Sequence, residues 1–376
     1  MPDVSTTPSK PELARAFASL QQHFAEVVVP LWQGPGWNAD MALPYESLDR
    51  QHRPLPTQRY RAMACARQLF VFASLHEQLP GAPARAAALF ASLQRYFHDP
   101  VHGGWFYSVD PQGAPLDRRK DLYTHAFVIF ACAHYWRRVR SAEVAAALDE
   151  ALALLPARFA DGQGLYEAVL DENWAGQGGG PLQNPLMHLA EALLAVTEAR
   201  SDADTEALLL GLLDGMQQRF IDREHGVMLE KPLGAVDNWH EPGHQFEWFY
   251  LLASTPRLHA HPLFASLSRA FAHAEAQGVN VDSGAVTAML NVDGQVIDGT
   301  LRIWAQAEYL RALTLHPDAH ARLGRQLSAL RQRFLRSEGW NECLDSAGVV
   351  SRHDMPSTTP YHLLTCYQGL ARFFTD

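Results

Sequence analysis

The chain has 376 residues, of which 47% are hydrophobic and 19% are charged, so it can bury the core of an ordinary globular protein. Its formal net charge of −10 comes from dispersed acidic residues, which argues against binding to nucleic acid or to acidic membranes. The sequence contains no run of about 18 apolar residues and no signal-peptide pattern at its start, so we expect a cytoplasmic protein without membrane contact.

Apolar residues recur every three or four positions in twelve stretches, the spacing that aligns them on one face of a helix. In chain order the predicted helices cover residues 11–31, 57–79, 82–98, 121–139, 141–159, 183–200, 203–221, 242–255, 261–277, 300–315, 317–336 and 360–374. We therefore expect an all-α protein.

A glycine followed by an apolar residue opens a short extended segment six times, at intervals of roughly 60 residues. These glycines are Gly36, Gly104, Gly164, Gly226, Gly284 and Gly339. Six repeats and twelve helices predict a toroid of six helical hairpins. A repeat that runs from end to end also predicts a single domain over residues 1–376, of which we expect 1–10 to be flexible.

Short alternating segments between the helices predict small β-hairpins. Trp105–Gly113 and Val286–Gly294 each alternate briefly and then turn at Gln-Gly or Asp-Gly. We expect these hairpins at one end of the ring, since loops on a rigid scaffold commonly carry binding sites.

Polar and aromatic residues occupy comparable places near the start of six of the predicted helices. They are Arg67, Tyr123, His125, Asn184, His188, His244, Glu247, Trp304, Gln306, Glu308, Tyr361 and His362. If the ring closes, these positions face one central cavity. Such a cavity, rich in histidine, carboxylate and aromatic groups, suits a small polyhydroxylated ligand, and the predicted partner is a sugar.

The segment Glu241–Trp248 is the most specific single string. His244 and Glu247 are three residues apart, so they share a helical face and the carboxylate can orient the imidazole. His-x-x-Glu can also bind a metal in helical bundles, and His188 with Glu191 repeats the spacing. The dense aromatic surroundings fit an organic ligand, and we predict neither a metal nor a cofactor.

Five strings together resemble the N-acylglucosamine 2-epimerase superfamily: the arginine helix at Arg67, Asn184–His188, Glu241–Trp248, Trp304–Glu308 and Tyr361-His362. The resemblance covers nearly the whole chain. It implies an (α/α)6 barrel, with short β-hairpins in the loops at one end, and a cofactor-free proton transfer next to a sugar carbonyl.

The resemblance also implies roles for individual residues. His244 and His362 look like the acid/base pair, Arg67 like the group that stabilises an enediolate oxygen, and His188 like a residue that assists ring opening. The remaining candidates would bind or wall in the sugar: Asn184, Glu247, Trp248, Trp304, Glu308, Tyr123 and His125. At the position of His125, members of the family often carry glutamine.

Imidazole, with a pKa of about 6.5, suits a proton transfer that must accept and donate near neutral pH. An aldose-ketose isomerase moves a proton from C2 to C1, whereas a 2-epimerase returns it to C2 on the opposite face. The string Tyr123–Phe127 is closer to the mannose-isomerase branch. We predict isomerisation of a free monosaccharide, with mannose and fructose as the leading pair and 2-epimerisation as the alternative.

Two other classes of function stay open at this stage. A glycoside hydrolase on the same toroid would use two carboxylates, for which Glu247 and Glu308 are candidates. The ring could instead serve a non-catalytic sugar-binding protein. Neither class explains three histidines at matching helix positions. The sequence leaves the choice of sugar open, and also assembly into a homo-oligomer.

Overall fold

The protein is described by a computed structural model that covers residues 9–176, 179–317 and 320–375. The α-helices in these residues are α1 (Lys10–His23), α2 (Val29–Gln33), α3 (Ala62–Ser74), α4 (Ala82–Ser92), α5 (Leu122–Val139), α6 (Ala142–Leu154), α7 (Gln183–Ala199), α8 (Ala203–Arg219), α9 (Pro242–Ala253), α10 (Pro262–Gly278), α11 (Ile303–Leu313), α12 (His320–Arg333) and α13 (Thr359–Thr375). Each predicted helical stretch overlaps at least one of them. The all-α prediction is confirmed.

The predicted helix boundaries need two refinements. A π-helical turn continues α1, α4 and α6, at Phe24–Val28, Leu93–Phe97 and Leu155–Phe159. The stretch predicted from residue 57 becomes helical at Ala62, because Tyr60–Arg61 form a strand and Arg61 keeps an extended backbone as the N-cap. Of the segment expected to be flexible, residues 1–8 lie outside the described residues, while Ser9 and Lys10 already begin α1.

Contacts between residues divide the chain into two compact units. The N-terminal unit comprises Trp32–Ile221 and Glu230–Ala235, and the C-terminal unit comprises the chain up to Leu31, Asp222–Leu229 and the chain from Val236. In the N-terminal unit α3, α5 and α7 pack side by side, and α4, α6 and α8 each pack on the helix before them. The predicted helix pairs are therefore present in this unit.

The C-terminal unit repeats this arrangement. Helices α9, α11 and α13 pack side by side, α10 packs on α9, and α12 packs on α11, while α1 contacts both α12 and α13. Helix α9 is buried along nearly its whole length, whereas α10 buries one face. A helix buried on every side can present polar groups only to protein or to a ligand, which makes α9, α11 and α13 the natural carriers of a site.

The strands are short and join the helices. They are β1 (Trp37–Asn38), β2 (Leu43–Pro44), β3 (Ser47–Leu48), β4 (Tyr60–Arg61), β5 (Ser108–Val109), β6 (Pro115–Asp117), β7 (Lys120–Asp121), β8 (Val169–Leu170), β9 (Trp239–His240), β10 (Met289–Asn291), β11 (Val296–Asp298), β12 (Leu301–Arg302), β13 (Leu335–Arg336), β14 (Gly339–Trp340), β15 (Cys343–Leu344), β16 (Val350–Arg352) and β17 (Met355–Pro356). Antiparallel sheets run in the orders β4-β5-β6, β9-β10-β11 and β12-β15-β16. The predicted hairpins correspond to β5-β6 and β10-β11, which turn at Gly113 and Gly294, both with positive φ.

Three glycines at or next to the predicted repeat openings fold into one kind of turn. Gly103, Gly226 and Gly284 have φ values of 76°, 72° and 68°, which suit glycine. Each donates its N–H to the carbonyl of an Asx residue four positions earlier: Asp99, Asp222 and Asn280. The glycine that marks the second repeat is therefore Gly103, one position before the Gly104 that the sequence pattern selects.

A side chain from the following helix hydrogen-bonds to the backbone two residues after each of these glycines, and we call this contact a clamp. The amide of Gln245 accepts from the Met228 N–H and donates to the Met228 carbonyl, both at 2.8 Å. Gln306 binds the N–H and carbonyl of Val286 in the same way, at 2.9 Å each. Gln245 and Gln306 are the fourth residues of α9 and α11, so each clamp fixes the start of a helix against its hairpin.

Candidate active site

Two histidines in the C-terminal unit pack against one indole. His244 is the third residue of α9, Trp304 the second of α11 and His362 the fourth of α13. The centroid of the Trp304 ring lies 5.0 Å from that of His244 and 5.7 Å from that of His362. Both imidazoles are largely buried, while Trp304 keeps partial exposure. Three neighbouring helices thus bring two imidazoles to one aromatic surface.

The Pro-Gly pair before His244 makes this packing possible. A Cβ placed on Gly243 would lie 2.6 Å from the Trp304 ring, so any side chain there would displace the indole. Pro242 occupies the first position of α9, where its missing N–H costs little. The sequence Pro-Gly-His therefore both starts α9 and leaves room for the Trp304 indole.

His362 has a defined carboxylate partner. Its Nδ1–H donates to Glu308 Oε1 at 2.8 Å, and Glu308 is completely buried. Because a carboxylate only accepts, this bond fixes both the orientation of the imidazole and the position of a proton on Nδ1. A carboxylate beside the ring also stabilises the imidazolium that forms when Nε2 accepts a proton.

Glu247 joins His362 and Glu308 in a buried acidic cluster. One ligand atom from each of the three lies within 4.8 Å of the other two. By distance this trio could hold a metal ion. However, Arg311 Nη1 donates to Glu308 Oε2 at 3.2 Å, so the protein itself supplies a cation to this cluster. Trp248, which was predicted with Trp304 and Tyr123 to wall in the sugar, has a fully buried indole in the C-terminal unit.

The N-terminal unit contains a second group of predicted residues. Arg67 donates to the hydroxyl of Tyr123 at 2.7 Å, and its guanidinium lies 4.2 Å from the centre of the Phe127 ring. The imidazole of His188 packs on the same two rings, at 5.0 Å from Tyr123 and 4.7 Å from Phe127. Stacking and hydrogen bonding together fix the plane of the guanidinium.

His188 is also oriented by a carboxylate. Its Nδ1–H donates to Glu191 Oε2 at 3.3 Å, and both side chains are buried. Asn184 lies one turn earlier on α7, and its side-chain oxygen is buried without a hydrogen-bond partner in the described structure. An unsatisfied amide oxygen next to a fixed imidazole is a good acceptor for a ligand hydroxyl.

His125 has a different environment from the other predicted residues. Its side chain is fully buried, its Nε2 accepts from the Trp105 N–H at 3.1 Å, and its Nδ1–H donates to the Asp121 carbonyl at 2.8 Å. Burial lowers its pKa to about 4, so the ring is neutral at neutral pH. His125 is the fourth residue of α5 and clamps its turn as Gln245 and Gln306 clamp theirs. We therefore leave it out of the proposed sugar-binding set.

The structure adds residues that motif reading passed over. The Phe127 ring contacts both Arg67 and His188. Because Phe127 lies one turn after Tyr123, helical spacing already placed it on the same face of α5. Arg311, three residues after Glu308, was equally detectable from helical spacing. The convergence of the two groups on a single cavity stays a prediction, as does the single domain.

Comparison with known proteins supports the family resemblance that the five sequence strings indicate. The family model for N-acylglucosamine 2-epimerase (GlcNAc 2-epimerase) matches residues 44–366. A mannose-6-phosphate isomerase from Rhizobium meliloti is 30% identical over 368 residues, covering 90% of this chain and 92% of the relative. In the residues that the structure describes, no helix is long and apolar enough to cross a membrane.

Solved structures share the fold at low identity. A cellobiose 2-epimerase from Bacillus thermoamylovorans superposes with a TM-score of 0.87, at 16% identity over 96% of this chain and 100% of that one. A D-mannose isomerase gives a TM-score of 0.80, at 18% identity over 99% and 100%. These likenesses confirm the predicted (α/α)6 fold, and the family match extends over most of the chain. The protein belongs to the N-acylglucosamine 2-epimerase family and is an enzyme of the sugar isomerase or epimerase class.

Proposed function

We propose that this protein catalyses the reversible aldose-ketose isomerisation of a free monosaccharide, with D-mannose and D-fructose as the leading pair. The observation that carries the proposal is the packing of His244 and His362 on Trp304, with Glu308 bound to His362. The names of two similar proteins, a mannose-6-phosphate isomerase and a D-mannose isomerase, support the choice of reaction.

The chemistry requires a base that removes the C2 proton of the open-chain aldose and an acid that returns a proton to C1. An imidazole does both near neutral pH, because its ordinary pKa is about 6.5. In the proposed reaction His362 acts through Nε2, and the Glu308 carboxylate offsets the positive charge that the ring acquires. His244 is the second proton-transfer group.

The other residues have supporting roles in the proposal. Arg67 stabilises the negative charge that develops on the enediolate oxygen, and its bond to Tyr123 fixes the guanidinium in advance. His188 and Asn184 hold the anomeric hydroxyl and assist ring opening. Glu247 binds a sugar hydroxyl, and Trp304 packs against the sugar ring.

A sugar 2-epimerase is the second candidate, because the same two histidines would serve it. One histidine would take the C2 proton from one face of the sugar, and the other would return it to the opposite face. The presence of two imidazoles on one indole favours this candidate as much as the first. Only the product distinguishes the two reactions.

Incubation with sugars in heavy water, followed by proton NMR, tests both candidates. The panel contains mannose, fructose, glucose, lyxose, N-acetylmannosamine, cellobiose and mannose 6-phosphate. We expect fructose from mannose, with deuterium entering at the reacting carbon. Glucose from mannose without ketose would establish the epimerase instead, and conversion of the phosphorylated sugar alone would replace the free-sugar substrate.

His362→Gln and His244→Gln should each abolish turnover of the active sugar. The matched control is His353→Gln, since His353 is exposed in the C-terminal unit. Absence of exchange with every sugar on the panel would contradict the proposed function. Release of reducing ends from an oligosaccharide would instead indicate a glycoside hydrolase.

A further inference from the structure

Glu308 bridges two cationic or potentially cationic groups inside the C-terminal unit. Its Oε1 accepts from His362 Nδ1 at 2.8 Å and its Oε2 accepts from Arg311 Nη1 at 3.2 Å. The carboxylate is completely buried, and the two partners are 7% exposed each. The negative charge of a buried carboxylate must be balanced by a nearby positive charge. Here the Arg311 guanidinium is always positive, whereas the His362 imidazole is positive only when protonated.

Arg311 is held in place from two other helices. Its guanidinium lies 4.1 Å from the centre of the Tyr250 ring on α9, a cation–π contact that fixes its plane. On α13, a Cβ at Gly369 would lie 3.2 Å from both Arg311 Cγ and the Tyr250 hydroxyl. A residue larger than glycine would press on this pair, so three helices define the position of one guanidinium.

Arg311 is more buried than Trp304. It follows Trp304 by seven residues on α11, which places it about 10 Å further along the helix axis. Trp304 is partly exposed, whereas Arg311 and Tyr250 are buried. The contact that links Arg311 to His362 is the Glu308 carboxylate, which binds both.

The other titratable groups near His362 do not replace Arg311. Glu247, from α9, adds a second carboxylate within 4.8 Å and increases the need for a cation. Cys366 lies on α13 itself, and burial raises its pKa well above the usual range, so it stays a neutral thiol. His244, which packs from α9 on the same Trp304 ring as His362, is positive only when protonated, so among these groups Arg311 is the constant positive charge.

We propose that Arg311 is a positioning residue for proton transfer: by sharing the charge of Glu308, it keeps His362 able to release the proton that it takes up. This inference rests on the proposed function, in which His362 moves a proton. Without Arg311, the imidazolium would be the main counter-charge to two buried carboxylates. His362 would then stay protonated at neutral pH and would no longer act as a base.

The test uses Arg311→Met, which removes the charge but keeps the stem, and Arg311→Lys, which keeps the charge. The matched control is Arg322→Met, because Arg322 pairs with Glu275 on α10 and not with the histidine cluster. In the full-length protein labelled with 15N-histidine, NMR follows the His362 ring as pH changes without any sugar. The His362→Gln variant identifies its signal.

We expect Arg311→Met to move the midpoint of the His362 titration upward by about one pH unit, which corresponds to a tenfold change in proton affinity. The acidic limb of the kcat/KM profile should move in the same direction, with kcat reduced and KM nearly unchanged. Arg311→Lys should restore most of both, and Arg322→Met should change neither. A folded Arg311→Met protein with an unmoved or lowered midpoint would overturn the proposal.

If Arg311→Met does not fold, Tyr250→Leu provides the second variant, since it removes the ring that holds the guanidinium and should move the midpoint in the same direction. The NMR titration requires no substrate. The protein could therefore show a shifted His362 midpoint and yet convert none of the sugars. That result would contradict the proposed function but would support the coupling of Arg311 to His362.

Discussion

His362 Nδ1 and Glu308 Oε1 lie 2.8 Å apart at the centre of the C-terminal unit, joined by a hydrogen bond between α13 and α11. The two residues are separated by 54 positions in the chain. Their bond fixes the orientation of the imidazole and stabilises its charged form. Removal of the carboxylate charge is therefore the most direct test of the C-terminal cluster.

Glu308→Gln should lower kcat by about 10²- to 10⁴-fold, because the amide can still accept the hydrogen bond but cannot stabilise the imidazolium. KM should change little. The measurement is the initial rate on the sugar identified as substrate. The control is Glu275→Gln, which removes a carboxylate that accepts from the Tyr309 hydroxyl instead of from His362. Equal activity of the two variants would exclude the role proposed for Glu308.

His125→Gln should fold and retain most of the activity, since Gln245 and Gln306 perform the same clamping at the corresponding helix positions. His125→Leu leaves the buried Trp105 N–H without its acceptor, which should cost about 1–3 kcal/mol of unfolding free energy. Urea unfolding of the two variants measures the difference. If His125 instead binds sugar, both variants should lose affinity for the substrate to a similar extent while remaining stable.

Acid should destabilise the fold through His240, which is fully buried in strand β9. Burial, with a smaller effect from His273 and His225, lowers its pKa from 6.5 to about 3. Above pH 6.5 the ring is neutral in both states and contributes no pH dependence. As pH falls below 6.5 the unfolded chain binds a proton that the folded chain does not, so stability falls until about pH 3.

At pH 5 the loss from this one group is about 2 kcal/mol. His240→Gln should therefore lose less thermal stability between pH 7.5 and pH 5 than the parent protein. His353→Gln, at an exposed position, should keep the parent's pH dependence. Identical pH profiles of thermal unfolding for the parent and His240→Gln would show that His240 is accessible to protons in the folded state.

Lys120 and Asp99 form a buried ion pair in the N-terminal unit, with an N–O distance of 2.6 Å and both side chains at most 1% exposed. Asp99 also binds two backbone N–H groups of the turn that precedes Gly103, and Lys120 donates to the Gly103 carbonyl at 2.8 Å. Lys120→Met should cost about 3–5 kcal/mol, because it leaves the carboxylate buried without its cation.

Adding Asp99→Asn to Lys120→Met should recover part of that loss, since the charge that lacks a partner is then removed. Chemical denaturation of the single and double variants gives the coupling free energy between Lys120 and Asp99. The surface pair Arg53–Asp49 supplies the control, because Arg53 is largely exposed and its loss should cost at most about 1 kcal/mol. A double variant no more stable than Lys120→Met would mean that the hydrogen bonds of Asp99, not its charge, dominate.

The sequence by itself determined the helical repeat and most of the candidate residues. Apolar spacing reports which face of a helix is buried, and this information is local, so the twelve helical stretches could be located with errors mainly at their ends. Turn chemistry is also local, which is why the hairpins at Gly113 and Gly294 were predictable. The five strings around Arg67, His188, His244, Trp304 and His362 were enough to indicate the family.

Only the tertiary structure decided what each polar side chain contacts. His125 and His362 are both the fourth residue of a buried helix, yet one binds a backbone N–H and the other a carboxylate. Helical spacing fixes the direction of a side chain, but its partner comes from a segment 20 residues away for His125 and 54 residues away for His362. Helical spacing could place Arg311 near Glu308, but the Tyr250 ring that contacts Arg311, and the glycine on α13 that makes room for both, became visible only when α9, α11 and α13 were packed together.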